Sequence, residues 1–215
     1  VLDKAGKTVR TFTTKKPEGD PAPAANGPGG DGPGGGAPRP LTVKAGLNRV
    51  VWDLRHEGPA RVPGLFVFGS LQGRRVVPGE YQVRLTVAGK SSTEPLVVKI
   101  DPRVVTPLTD LQTQDDLTVK VEGELSDIHK SVVRLRAVRA QVDDLLKRVK
   151  GQPGADALEK SGKALVDKLT AVEDALVQKK VVDGQTVINF PARLNQHYIY
   201  LRGAIEASDA GVTDG

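Results

Sequence analysis

Near residue 104 the apolar residues of this chain change period, from strict alternation to a four-three repeat. Val121, Leu125, Ile128, Val132 and Leu135 return to one side of an α-helix and leave a narrow seam. The seam continues through Val142, Leu146 and Val149, with Arg139 where an apolar residue is due. A run with this period cannot keep one face buried in a sheet. It predicts a helix over about 107–150, some 60 Å long at about 1.5 Å per residue. Thr109-Asp110-Leu111-Gln112 reads as its capping box, and Gly151-Gln152-Pro153-Gly154 ends it.

Two further helices follow, over about 155–180 and 190–208. Leu158, Gly162, Leu165, Leu169, Val172 and Leu176 form the second seam, with Asp156 as the N-cap and Glu159 three residues on. Gly162 costs about 1 kcal/mol of helix propensity and predicts a close-lying neighbour. Val182-Asp183-Gly184-Gln185 is a turn, and Asn189-Phe190-Pro191 starts the third helix, lined by Leu194, Tyr198, Leu201 and Ile205. Residues 104–215 therefore predict a three-helix antiparallel bundle or hairpin.

Residues 1–103 alternate instead. Tyr81-Gln82-Val83-Arg84-Leu85-Thr86-Val87 alternates strictly, which predicts one buried and one wet face. Val50, Trp52 and Leu54 predict a second strand, Leu96, Val98 and Ile100 a third, and Thr8 to Thr13 a weaker fourth. Val77-Pro78-Gly79-Glu80 fits a turn with Gly79 at positive φ, and Ala88-Gly89-Lys90-Ser91-Ser92 closes a hairpin. The fold class expected is α+β in two parts, an incomplete antiparallel β-sandwich followed by the helices. Four strands are few for a sandwich, so the rest is expected to be supplied from elsewhere.

The 24 Gly and 15 Pro crowd residues 17–40. Gly27 to Gly32 matches the spacing G-x-G-x-x-G, but no helix can follow it. Pro33, three Gly and Ala37-Pro38-Arg39-Pro40 come next. A phosphate cradle needs a helix N-terminus and free backbone N–H groups, so the match is compositional and the tract reads as a loop inserted between strands.

Other chemistry is thin. There is no Cys, which excludes disulfides and thiolate sites. His56, His129 and His197 do not stand at metal-ligand spacing. Asp115-Asp116 and Asp143-Asp144 are adjacent, and adjacent helical residues point about 100° apart, so neither is an acid/base dyad. Ser91-Ser92 has no His or Asp near it in sequence. No catalytic, cofactor or metal residue is assigned. The net charge is +5, but basic residues interleave with acidic ones and aromatics are 4%, which argues against nucleic acid. No run approaches the roughly 18 apolar residues of a membrane span. Trp52, Asp53, His56, Phe66 and Phe68 are the candidate interaction surface. There is no Met, and Val1-Leu2-Asp3 reads as mid-strand, so the chain is expected to be part of something longer.

Three motifs carry a resemblance. Asp3, Gly6, Arg10 and Thr11 give D-x-x-G-x-x-x-R-T; Gly46 to Asp53 give G-x-N-x-V-x-W-D; Pro78 to Leu85 give P-G-x-Y-x-V-x-L. This order resembles the immunoglobulin-like module of flagellar hook-capping proteins and of many secreted bacterial enzymes. Pro95 to Arg103, ending in Asp-Pro-Arg before a helical segment, resembles the C-terminal region of exported bacterial proteins with sortilin-like or BNR-repeat β-propellers. The resemblance implies an exported, non-catalytic accessory module that docks on an upstream propeller or mediates assembly. The alternatives are a carbohydrate-binding or glycoside-hydrolase-associated module with an oligosaccharide partner, and a filament subunit completed by a neighbouring chain.

Overall fold

The computed structural model describes residues 1–15 and 40–211. The Gly/Pro-rich tract expected as a loop at 17–40 lies outside the described residues, apart from Pro40. The chain is α+β. One antiparallel sheet has the order β1-β2-β3, with β1 Leu2–Asp3, β2 Gly79–Val87 and β3 Lys90–Val98. Three helices follow, α1 Leu108–Val149, α2 Ala155–Leu176 and α3 Leu194–Ile205, with a 3-10 turn at Thr186–Asn189 before the last.

β2 and β3 form a hairpin from Gly79↔Val98 to Val87↔Lys90. Ala88 and Gly89 turn it with φ of 49° and 82°. Two positive φ values match the right-handed twist of the flanking strands. The turn is therefore two residues, shorter than the expected Ala88–Ser92. Gly79 is not at positive φ either, because pairing with Val98 draws it into the ladder.

The expected strand over Val50–Arg55 does not form. Leu54 has φ 58°, which breaks the extended run, and only Arg55 makes a bridge, to Arg75. Trp52 turns inward while Val50, Val51 and Leu54 stay exposed. Of Thr8 to Thr13, only Thr8 makes a bridge, to Leu2. One sheet stands where a sandwich would have two.

Residues 56–74 form a strap closed at its base. His56 N–H donates to the Arg74 carbonyl at 2.9 Å, and Val76 N–H to the Leu54 carbonyl at 2.8 Å. The strap has no ladder of its own, so helix side chains satisfy its backbone. The Ser126 hydroxyl accepts from Ala60 N–H, His129 Nδ1 meets the Ala60 carbonyl, and Arg136 donates to the Pro63 carbonyl. Gln196 pairs with both backbone groups of Phe68, and Arg202 donates to the carbonyls of Ser70 and Gln72. Strap, α1 and α3 then share a core of Leu71, Leu125 and Ile199. Val62, Val132 and Val177 make a second, where the strap meets the α1–α2 hairpin.

The helix ends differ from the sequence reading in detail. Neither the Thr109 box nor Asp156 caps: α1 follows Pro107 and α2 follows Gly154 at φ 78°, both without a side-chain cap. α2 stops at Leu176 because Val177 turns extended and buries. Pro191 precedes α3 by three residues instead of sitting in its first turn.

Candidate interaction surface

The five candidate residues fall into separate surroundings. Trp52 packs edge-to-face on Tyr81, centroids 5.9 Å apart, and joins the small core of Val9, Val76 and Tyr81 under the sheet. Its indole N–H donates to the Arg55 carbonyl at 2.9 Å. Asp53 is exposed and accepts from Arg55 N–H. His56 is half-buried at the base of the strap, where its carbonyl accepts from Arg10. Burial, then the nearby Arg74 charge, lowers its pKa to about 4. Phe66 lines a small pit with Phe190 and Tyr200, and Phe68 is exposed beside Gln196. Trp52 and Asp53 belong to the sheet end; Phe66 and Phe68 sit on the strap beside α3.

The structure brings forward a different surface. Tyr81, Val83, Leu85 and Val87 share one face of β2. Tyr81 at the base is buried, but Val83, Leu85 and Val87 are 43%, 64% and 62% exposed. Their partners on β3 are Glu94, Ser92 and Lys90. The hairpin thus carries an exposed apolar stripe past the core, with none of the other described residues closing over it. β3 is an edge strand, and β1 covers β2 only at Tyr81 and Gln82. Pro95, which has no N–H, is tolerated on such an edge. The alternation at Tyr81 announced this stripe in the sequence; that it would stay uncovered was legible only from the shortage of strands.

A cleft of about 360 Å³ opens between the sheet and α1. Several of its charged groups are tied to one another or to Glu122 and Arg202 behind its lining. Arg74 donates to Asp115 at 2.6 Å and to Glu122, Arg75 pairs with Asp209, and Arg202 pairs with Glu122 and Glu206. Burial raises the Glu122 pKa against the pull of Arg202 and Arg74. No His lines this cleft, so its carboxylates have no imidazole partner there. Among the described residues no group of three or more His, Asp or Glu could hold a metal ion, and no helix is long and apolar enough to cross a membrane.

A second buried ionic cluster joins α1 to α2. Arg136 and Arg139 both donate to Glu173, whose side chain is 1% exposed. Burial alone would raise the Glu173 pKa, but the two hydrogen bonds outweigh it and hold it below the ordinary carboxylate range. The signal in the sequence was Arg139, a charge in a seam.

Comparison with protein-family models, curated proteins and solved structures finds no match for this chain.

Proposed function

We propose that this chain is a non-catalytic docking module whose sheet is covered by a neighbouring domain or chain. The carrying observation is the apolar stripe of Val83, Leu85 and Val87 on a hairpin with open edges. Uncovered apolar surface and unpaired strand edges are what strand addition and sheet docking use. An immunoglobulin-like origin is supported by the three motifs and by Tyr81. Its hydroxyl donates to the Val77 carbonyl at 2.6 Å, four residues upstream, as in the tyrosine corner of such sandwiches. In this reading the exposed Val50 and Val51 belong to a strand that pairs only when the partner is present. The parent is an exported protein with a sortilin-like or BNR-repeat propeller, and the partner is that propeller. The carbohydrate reading is less favoured, because Trp52 spends its N–H inside the chain and sets its ring against Tyr81.

Native mass spectrometry of the material as isolated, with Leu85→Asp and Val87→Asp beside it, tests this. A second polypeptide bound to the unaltered chain and lost from both variants is the expected result. A folded monomer with no bound partner overturns it. Polymers of this chain alone would instead support the filament alternative.

A further inference from the structure

The α1–α2 hairpin carries a second uncovered surface, on elements apart from the sheet. Leu146 of α1 lies against Gly162 of α2, Arg139 meets Glu173, and Val132 packs near Leu176. As numbering falls on α1 it rises on α2, so the helices are antiparallel. In each helix the residues just before one of the two seam rows, Arg139 and Leu146 on α1 and Glu159, Val166 and Glu173 on α2, are apolar and at least partly open. On α1 these are Val138, half-buried, and Leu145, 43% exposed. On α2 they are Leu158, Leu165 and Val172, at 52%, 42% and 52%. Facing antiparallel helices of one hand turn these rows toward the same flank of the pair. The sequence placed Leu158, Leu165 and Val172 in the seam itself; α1 instead takes the Gly162, Leu169 and Leu176 row together with Glu173.

The opposite flank, one residue beyond the other seam row, carries Arg136, Asp143, Lys163 and Thr170 and is polar. Further up α1 the open row changes to Ser131, level with the end of α2, and then to Glu124. The apolar residues are thus confined to the stretch where both helices can present them together. A hairpin apolar on one flank only has the pattern of a bundle lacking a helix.

Charge indicates which helix. The charged residues bordering the open row are Arg134 and Arg148 on α1 and Lys168 on α2, with Arg148 also paired to Asp144. The one carboxylate that reaches the border is Asp144, on Arg148, which leaves Arg134 and Lys168 as its uncompensated charges among the described residues. A second copy docking here would oppose these cations with its own. We propose that this flank binds an amphipathic helix with acidic edges on another polypeptide, completing a three-helix bundle. From Leu158 to Val172 the contact row is about 21 Å long, so about four turns of partner suffice. This surface is independent of the sheet docking, and either can fail without the other.

The probe is a pair of synthetic peptides of about 20 residues, each with a leucine stripe, one flanked by Glu and one by Lys. Their binding to the whole chain is read by fluorescence anisotropy at low salt. The acidic peptide is expected to bind at least about tenfold tighter, and to weaken as salt rises. Leu165→Glu is expected to abolish binding with an unchanged thermal melt, since Leu165 is exposed in the described structure. Joint Arg134→Glu and Lys168→Glu substitution should reverse the preference. Equal binding of both peptides, or binding of neither, overturns the proposal. So does self-association in sedimentation that Leu165→Glu removes, which would give the flank to a second copy.

Discussion

Glu173 of α2 and Arg139 of α1 meet across the helix seam, with Arg136 on the other carboxylate oxygen. The carboxylate is buried, whereas the two arginine side chains are a quarter to a third exposed. Glu173→Gln removes the anion and leaves two cations at the seam. Breaking a buried pair from one side costs about 3–5 kcal/mol; here the arginines can turn toward water, so a loss of about 2 kcal/mol in urea unfolding is expected. Joint Arg139→Leu and Glu173→Leu substitution restores an apolar seam. It should recover most of that loss, because well-packed apolar residues often match a buried ion pair.

Gly162 is the close approach in the same seam. A Cβ there would come within 2.7 Å of Leu146 Cδ2 and 3.1 Å of Cγ. Gly162→Ala gains up to about 1 kcal/mol of helix propensity and pushes against a branched side chain. Overpacking costs about 1–3 kcal/mol, so net destabilisation of about 1 kcal/mol is expected. In a double-mutant cycle Leu146→Ala should cost less in the Gly162→Ala background than alone, since the second change vacates the crowded space.

The helices were legible because their period is long and interrupted only at Arg139: Val121 to Val149 predicts a rod, and α1 spans Leu108–Val149. The tight contact at Gly162 was legible for the same reason. Which side of α2 faces α1 was not, because two apolar rows one turn apart satisfy one four-three pattern. Only Glu173, whose charge binds Arg139, decides between them. Val50–Arg55 alternates like a strand, but alternation shows a face and not a partner. Among the described residues only Arg55 finds one, and Leu54 at positive φ breaks the run. The strap left no periodic trace, since its backbone is held by long-range bonds to Ser126, His129, Gln196 and Arg202. The candidate site divided for a related reason: nearness along the sequence put Trp52 and His56 together, while Phe66 and Phe68 follow the strap to α3.

At the base of the strap two backbones nearly touch. A Cβ on Gly73 would fall 1.9 Å from the His56 carbonyl oxygen, and one on Gly58 would fall 2.3 Å from that of Leu71. Neither glycine is at positive φ, so the requirement is space. Gly73→Ala must part the His56–Arg74 pairing and is expected to cost at least about 3 kcal/mol. Proteolysis within residues 58–72 should rise in step. Gly64→Ala, at φ 70° with nothing within 4 Å, should cost only about 1 kcal/mol, the penalty of a left-handed L-residue.

Protonation of the buried histidines should loosen the same strap. His56 has its pKa lowered from 6.5 to about 4 by burial and by Arg74, and burial likewise lowers that of His129. Each ring is held neutral in the folded chain and binds a proton more readily when unfolded. For these rings the unfolded state carries more protons between pH 6.5 and about 4, so their contribution to stability falls as pH drops through that window, opposed in part by Glu122, whose raised pKa makes the folded chain the better proton binder there. For one ring the slope is at most about 1.4 kcal/mol per pH unit; solvent screening reduces it at His56, which is half-buried. Glu173 acts in a lower window, as its depressed pKa gives stability that is lost below the ordinary carboxylate value. Urea midpoints measured from pH 7 to 4 should decline, and His56→Gln should flatten the decline without removing it, since His129 remains. An unchanged profile would mean that His56 does not titrate in the unfolding transition.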